Sequence, residues 1–355
     1  MAKPLVSVLI DTCNHERFIE AAVTSVLSQN FPAADREIVI VDDGSTDHTP
    51  EILQRFSKDA RVLQKPNGGQ ASAFNHGLAN CSGQVVAFLD GDDFWCREKL
   101  ATVVSELEAQ PSIGAVGHGI FETDEAGRQV SVHAPSFAVE NHLRSRAEAL
   151  EFLTIRSCLG TSRFTARRAT LEKFLPVPEA LVIQADEYLF TCAAGFDGVR
   201  VLPQPLTNYR LHSSNLYQSR NLSPEHLLRK LTSLDSLTSA LPSRLAAAGV
   251  PVESVSAVID SISLDADRLR LGLGHGSSLD SFRVERRAFR QVYRSSTIGY
   301  RLFHFAVLGA AAILPPQLFY ALRNKYAAAG LHRIRKIIGD AKPVESLVNS
   351  KGLHS

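Results

Sequence analysis

The apolar run at residues 85–89 leads directly into the acidic segment Asp90-Gly91-Asp92-Asp93. The run has the length and composition of a buried strand, so three carboxylates meet at the end of that strand. Like charges this close repel one another unless a cation lies between them. Hard oxygen ligands suit Mg²⁺ or Mn²⁺, which usually keep phosphate oxygens as further ligands. The segment therefore predicts a divalent metal and a phosphate-bearing ligand; the alternative is an acidic turn in which Asp93 caps the next helix.

Strand-like and helix-like patterns alternate over the first 110 residues. Strands are predicted at residues 6–11, 37–42, 61–64 and 85–90, and helices at 16–29, from 49 onward and at 70–80. Alternation at this spacing predicts βαβ units and a mostly parallel sheet, with the carboxyl ends of its strands as the ligand-binding edge.

The pattern changes in the second half of the chain. Short strands are predicted at residues 113–116, 119–121, 159–165, 199–202 and 206–211, which indicates a mixed, partly antiparallel continuation of the same domain. Beyond about residue 222 the pattern is nearly all helical. We therefore expect an α/β domain over residues 1–221 and an all-helical region over 222–355.

The five cysteines are an odd number without metal-ligand spacing, and the first four residues lead directly into a strand. Both features predict a reducing, cytoplasmic setting. The net charge is only +1, yet residues 283–336 hold eleven Lys or Arg and one acid, a local balance of +10. This asymmetry predicts an anionic surface as partner of the C-terminal region, whereas no nucleic-acid partner is predicted.

Two further loops fall where the predicted sheet would bind a ligand. Residues 42–45 read Asp-Asp-Gly-Ser after the second strand, where a carboxylate can accept a hydrogen bond from ribose or base; the alternative is an Asx turn. Residues 67–70 read Asn-Gly-Gly-Gln before the third helix, whose N-terminus favours phosphate.

Taken in order, the segments at 6–10, 41–47 and 88–93 resemble family 2 glycosyltransferases of the GT-A fold, over roughly residues 5–215. The resemblance implies a Rossmann-like mixed sheet flanked by helices. It also implies transfer of a sugar from a nucleotide-diphosphate sugar with inversion at the anomeric carbon. The usual cofactor is Mg²⁺ or Mn²⁺.

The resemblance also implies roles for individual residues. Asp43 takes the position that binds a uracil-type base, which favours a UDP or dTDP donor, and Thr12 lies in the loop that contacts the nucleoside. Asp90 faces ribose and sugar, while Asp92 or Asp93 holds the metal, and the choice between these two stays open. The remaining predicted nucleotide contacts are Asp42, Asn67 and Gln70.

Two departures from the family pattern affect the nucleotide contacts. Asp11 and Cys13 stand where many members have Pro and Tyr, which removes an aromatic residue that could stack on the base. Phe74 precedes Asn75 where many members have Arg, so Gln70 is a candidate for the missing polar contact.

Residues 184–190 resemble the start of the family's catalytic helix, in which an Asp acts as base. That Asp aligns with Asp186, although Ala185 replaces the customary Glu and Glu187 remains a rival base. The alternative is that both acids only favour a helix N-terminus. Residues 208–212 resemble the family's closing segment, which makes Arg210 a diphosphate contact and His212 a metal or diphosphate contact.

Residues 302–314 are strongly apolar, and Pro315-Pro316 ends the run before it reaches the length of a membrane span. Basic residues flank it, so we expect a segment near 302–320 to lie in the plane of an anionic membrane; the alternative is a buried helical hairpin.

Together these features predict an inverting glycosyltransferase at the cytoplasmic face of a membrane. Its acceptor would be a saccharide or polyprenyl-linked hydroxyl in surface polysaccharide or glycolipid synthesis. The alternatives are a nucleotide-sugar-binding scaffold without transfer activity and a nucleotidyltransferase.

Overall fold

The computed structural model describes residues 5–212, 223–292 and 298–328. The chain divides into two compact units, one ending at Ile262 and one beginning at Ser263. The strands of the first unit are β1 (Val6–Thr12), β2 (Arg36–Asp43), β3 (Arg61–Lys65), β4 (Val85–Asp90), β5 (Phe94–Trp95), β6 (Ala115–Thr123), β7 (Gln129–His133), β8 (Val139–Asn141), β9 (Thr165–Arg167) and β10 (Val199–Arg210). Its helices are α1 (Ile19–Leu27), α2 (Thr49–Gln54), α3 (Gln70–Asn80), α4 (Lys99–Ala109), α5 (Arg146–Ile155), α6 (Arg168–Leu171), α7 (Ala185–Phe196) and α8 (Pro224–Ala247).

One mixed sheet organises this unit, with strand order β3-β2-β1-β4-β9-β6-β10-β5 and with β7 and β8 paired to β6 and β10. The four strands from β3 to β4 are parallel, whereas β9 runs antiparallel to both β4 and β6. Helix α1 buries its apolar stripe, Ile19, Ala22, Val23 and Val26, in the same core as the inward residues of β1 and β4. The predicted α/β sheet flanked by helices is therefore confirmed.

Several predicted boundaries in the second half are wrong. The two strands predicted at 113–121 form one strand, β6, and those predicted at 199–211 form one strand, β10. Pro203 and Pro205 suggest a break, but the ladder with β6 continues across them through two shifts of register. Within the strand predicted at 159–165, residues 161–163 form a 3₁₀ turn and only Thr165 belongs to a strand, β9. Strands β7 and β8 were not predicted.

Helices account for the described part of the second unit. Helix α9 (Val252–Gly272) spans the division, and α10 (Ser278–Val292), α11 (Ile298–Ile313) and α12 (Pro316–Ala328) follow. Its core packs Leu271 with Ala311, Phe319 and Tyr320. The boundary at residue 222 stays a prediction, and four of the basic residues, Arg294, Arg333, Arg335 and Lys336, lie outside the described residues.

The apolar run near residue 302 forms α11, which ends at Ile313 before the two prolines. Across residues 5–212, 223–292 and 298–328, no helix has both the length and the apolar character needed to cross a membrane.

Candidate active site

The carboxyl ends of β2, β1 and β4 lie side by side and bring three predicted site residues to one edge. In the parallel register, Thr12 is opposite Asp42 and Asp11 is opposite Asp90. Because all three strands point the same way, acids that are far apart in sequence converge there, as expected for a parallel α/β sheet.

Asp90, Asp92 and Asp93 form an acidic group whose side chains are close enough to share one metal ion. One carboxylate oxygen from each lies within 4.8 Å of the other two. Gly91 makes this turn feasible, because a Cβ there would lie 2.5 Å from Thr12 Oγ1. Its N–H donates to the Asp11 carbonyl at 2.9 Å, which ties the turn to the neighbouring strand.

Two histidines flank Asp92. His212 Nε2 lies 3.0 Å from Asp92 Oδ2, and His15 Nε2 lies 3.9 Å from the same oxygen. Burial by itself would raise the pKa of Asp92, but the hydrogen bond from His212 and the charges of both histidines lower it. Asp92 therefore stays ionised at the centre of the acidic group.

Asp93 behaves differently from Asp92. Its Oδ1 accepts the Arg210 N–H at 2.9 Å, and burial together with the charge of Asp92 raises its pKa to about 7. Helix α4 starts after Glu98, so Asp93 does not cap it and the turn interpretation is wrong on this point. Arg210 also donates from Nε to the Asp92 carbonyl at 3.0 Å and so holds the end of β10 against the acidic turn.

A fourth carboxylate, Asp11, lies at the same edge and was not among the predicted site residues. Its Oδ1 is buried and accepts no hydrogen bond. Burial, followed by the charges of Asp92, Asp186 and Asp43, raises its pKa well above the usual value. Burial and the charge of Asp11 likewise raise the pKa of Asp90. The signal in the sequence was an acidic residue near the carboxyl end of an apolar strand. We noted Asp11 in the sequence only because many family members have Pro at that position.

Asp42 and Asp43 have different partners. Asp42 Oδ1 accepts the Ser45 N–H at 3.0 Å, which is the Asx turn considered from the sequence. Asp43 accepts the Gly69 N–H at 2.7 Å and pairs with Lys65. Asn67 Nδ2 donates to the Asp43 carbonyl at 2.8 Å. The predicted nucleotide residues Asp43 and Asn67 are thus brought together, and they hold the glycine loop against the end of β2.

Asp186 and Glu187 lie in the first turn of α7, but their carboxylates bond to different neighbours. Asp186 Oδ2 accepts the Thr161 N–H at 3.1 Å and lies 3.3 Å from the Thr161 hydroxyl. Burial raises the pKa of Asp186, although the Thr161 N–H and the charge of Arg163 counteract it. Glu187 instead pairs with Arg156 at 2.7 Å and is only 8% exposed. Asp186 is the more exposed of the two residues.

Ser162 contacts the backbone of the acidic group, and this contact was not predicted from the sequence. Its Oγ accepts the Asp90 N–H at 3.1 Å. Its carbonyl accepts three hydrogen bonds from buried groups, namely Trp95 Nε1 at 3.0 Å, Lys99 Nζ at 3.1 Å and Thr207 Oγ1 at 2.7 Å. These three bonds hold the backbone of Ser162 in place, and its hydroxyl lies within hydrogen-bond distance of the Asp90 N–H.

The fold and this edge together define a GT-A-type glycosyltransferase. The model of the family described as "Glycosyl transferase family 2" matches residues 7–173 of this chain. An uncharacterized glycosyltransferase from Nostoc sp. is 34% identical over 226 residues, which are 60% of this chain and 67% of that protein. The chain therefore belongs to glycosyl transferase family 2.

Two further proteins are informative. An Escherichia coli protein is named UDP-Glc:alpha-D-GlcNAc-diphosphoundecaprenol beta-1,3-glucosyltransferase WfaP. It is 35% identical over 123 residues, which are 34% of this chain and 48% of that protein, so the match spans about half of WfaP. The crystal structure of S. aureus TarS 1-349 in complex with UDP-GlcNAc has a TM-score of 0.57, covers 93% of this chain and 92% of that chain, and is 20% identical; at this identity it shows the fold alone.

Proposed function

We propose that this glycosyltransferase moves a sugar from a nucleotide-diphosphate sugar, of UDP or dTDP type, to an acceptor hydroxyl with inversion. The observation that carries the proposal is the convergence of Asp90, Asp92 and Asp93 within 4.8 Å, together with Asp186 in the first turn of α7. An inverting transfer needs two parts: an acidic group that holds the metal and the donor, and a separate, partly exposed carboxylate that acts as base.

The residues present fit a divalent cation. Three hard carboxylate oxygens lie close enough to share one ion, and the buried Asp11 Oδ1 beside them lacks a hydrogen bond. Asp92 and Asp93 would hold the cation, with His212 adjacent to Asp92. A bound Mg²⁺ or Mn²⁺ supplies positive charge near the departing diphosphate.

Asp186 is the base in this proposal. The acceptor oxygen attacks the anomeric carbon as the bond from that carbon to the diphosphate breaks, and the bonding electrons leave with the diphosphate. Asp186 takes the proton of the acceptor hydroxyl. Two observations favour it over Glu187, because Asp186 is partly exposed and Glu187 is nearly buried in a pair with Arg156. The raised pKa of Asp186 suits a base working near neutral pH.

The acceptor we propose is a saccharide or a polyprenyl-linked saccharide, in surface polysaccharide or glycolipid synthesis. The name of WfaP, which includes a diphosphoundecaprenol-linked acceptor and a UDP-linked donor, supports this class. The proposed setting is the cytoplasmic face of the cell membrane.

The described helices of the second unit support a membrane contact. Helix α11 exposes Leu302, Phe305 and Ile313 at 65%, 58% and 80%, and the spacing of these residues places them along one side of the helix. Helix α10 exposes Arg283, Arg286 and Arg290, also at one-face spacing. Apolar and basic helix faces in one unit suit an anionic lipid surface.

The transfer reaction is tested by varying its base. Asp186→Asn should bind UDP-sugar with Mn²⁺ as tightly as the wild type and lose transfer by about 10²-fold or more, the scale of general-base catalysis. Glu187→Gln is the matched control. Wild-type protein that hydrolyses or transfers none of a panel of UDP-, dTDP- and GDP-sugars to lipid-linked acceptors would contradict the proposal.

A further inference from the structure

Gln70 is the first residue of α3, and the two ends of its side-chain amide form hydrogen bonds with different parts of the site. Its Oε1 accepts the Ala185 N–H at 2.9 Å, at the first residue of α7. Its Nε2 lies 3.2 Å from Thr161 Oγ1 and 3.4 Å from Asp90 Oδ1. The backbone N–H of Ala185 can only donate, so this contact fixes which end of the amide is oxygen. The amide N–H groups therefore point toward Thr161 and Asp90.

The backbone around Gln70 is tied to the same loop. The N–H of Gln70 donates to the Val182 carbonyl at 2.9 Å, and the N–H of Ala71 donates to the Leu181 carbonyl at 3.2 Å. Gly69 has φ +83°, and a Cβ there would lie 2.6 Å from Val182 Cα. The start of α3 is thus held directly against the loop that leads into α7, and Gln70 has little freedom to move.

Thr161 continues the chain of contacts to Asp186. A threonine hydroxyl has one hydrogen, so when it donates to Asp186 it can still accept from Gln70. The order Gln70 to Thr161 to Asp186 gives each group a partner of the right kind, with distances of 3.2 Å and 3.3 Å. The Thr161 N–H adds a second bond to Asp186 at 3.1 Å.

We infer that Gln70 is a positioning residue that holds the proposed base, Asp186, in a set position relative to Asp90. The inference rests on the proposed function, since it assigns Asp186 as base. The sequence pattern predicts Gln70 as a nucleotide contact. However, both ends of its amide bond to protein groups: the oxygen accepts from the first residue of α7, and the nitrogen lies near Thr161 and Asp90. Gln70 acts on the reaction through Thr161 and α7.

The test combines Gln70→Leu, which keeps the volume and removes the amide, with Thr161→Val, which removes the hydroxyl and keeps the N–H to Asp186. Asn75→Ala is the matched control. Asn75 lies on the same helix and bonds both the N–H and the carbonyl of Val177, at 2.9 and 2.8 Å, away from both acids.

With wild-type transfer as the baseline, each single variant should lower kcat by about 10- to 100-fold, as small misplacements of reacting groups do. The dissociation constant of UDP-sugar with Mn²⁺ should change by less than about threefold. The loss of kcat in the double variant should be smaller than the product of the two single losses, because both substitutions act on one connected set of contacts. Asn75→Ala should lower Tm and leave kcat unchanged.

Three results would overturn the inference. Weaker donor binding by Gln70→Leu at unchanged kcat would make the residue a nucleotide contact. Multiplied losses in the double variant would make the two side chains independent, and an equal loss of kcat in Asn75→Ala would make the effect a general one of α3 packing. An inactive wild type would instead contradict the proposed function, so the two failures are distinguishable.

Discussion

Asp186 and Glu187 are consecutive residues, yet their carboxylates bond to opposite neighbours. Asp186 accepts from Thr161 at 3.1 Å, on the side of the acidic strand end, and Glu187 accepts from Arg156 at 2.7 Å, next to α5. Successive residues of a helix face about 100° apart, so one helix start can serve two different surroundings. The two acids should therefore respond differently to substitution.

Glu187→Gln should reduce stability more than catalysis. It removes the negative charge that Glu187 places 2.7 Å from Arg156 Nη1, and a hydrogen bond to a charged group is worth about 1.5–3 kcal/mol. Urea unfolding should show a loss in this range, while kcat should remain within about threefold of the wild type. An inactive Glu187→Gln beside an active Asp186→Asn would move the base to Glu187.

The pH profile should report Asp186. Burial raises its pKa, and the base must be ionised to accept a proton, so kcat at saturating donor and Mn²⁺ should fall as pH falls through that raised pKa. The residual rate of Asp186→Asn should lack this acidic limb. A limb that persists unchanged in Asp186→Asn belongs to another group.

Asp92→Asn combined with Asp93→Asn should abolish the part of UDP binding that depends on Mn²⁺. We expect calorimetry to show that UDP affinity in the presence of Mn²⁺ falls by more than about 100-fold. Removing a group that only orients a metal ligand typically costs about 10- to 100-fold. Asp124→Asn is the control, because that carboxylate pairs with Arg128 on the β6–β7 hairpin. Unchanged Mn²⁺-dependent binding by the double variant would exclude these acids as ligands.

The second unit contains a buried ion pair with a predictable pH dependence. Glu285 is 2% exposed and accepts from Arg268 Nε at 3.0 Å. Burial by itself would raise its pKa, but the hydrogen bonds and charge of Arg268 lower it below 4.5. A lowered folded pKa stabilises the fold above about pH 4.5, and this contribution is lost as pH falls through the folded value.

Glu285→Gln should accordingly lower the free energy of unfolding at pH 7, by at most about 3–5 kcal/mol, because Arg268 and Arg323 both lose the charge of a buried carboxylate. The difference from the wild type should shrink at acidic pH. Glu225→Gln, at an exposed pair with Arg229 on α8, should cost less than about 1 kcal/mol. A pH-independent difference between Glu285→Gln and wild type would contradict the linkage.

Membrane binding should have one salt-sensitive and one salt-insensitive component. The protein should co-sediment with phosphatidylglycerol vesicles more than with phosphatidylcholine vesicles. Replacing Arg283, Arg286 and Arg290 by Gln should remove the preference, at about 1 kcal/mol for each charge. Leu302→Ser with Phe305→Ser should weaken binding to both vesicle types, even at high salt. Equal sedimentation of all three proteins would show that these helix faces do not meet lipid.

Local patterns were sufficient for much of the catalytic edge. Helix α3 and strand β4 have the predicted bounds, because their hydrophobic periodicity and flanking turn residues are short-range signals. The sequence also predicted that Asp42, Asp43 and Asp90 lie at one edge of the sheet. Alternating strands and helices form a parallel sheet, and the carboxyl ends of its strands meet at the same edge. The acidic group formed by Asp90, Asp92 and Asp93 is therefore predictable from short-range sequence signals alone.

The pairing of β7 and β8, by contrast, depends on distant strands. Neither is long or regular enough to be recognised alone, and their partners β6 and β10 were each predicted as two pieces. A ladder can absorb a proline or a bulge when a neighbouring strand supplies the remaining hydrogen bonds, and a single sequence does not contain that information.

The sequence by itself determined the family, the α/β order and the acids that meet at the strand ends. Only the tertiary structure decided that Glu187 faces Arg156, that Asp11 joins the acidic group, and that the Gln70 amide lies between Asp90 and α7. The physical reason is that backbone periodicity arises from neighbours in the chain. Hydrogen-bond partners and pKa shifts arise from whichever distant residues the packed fold brings within a few ångströms.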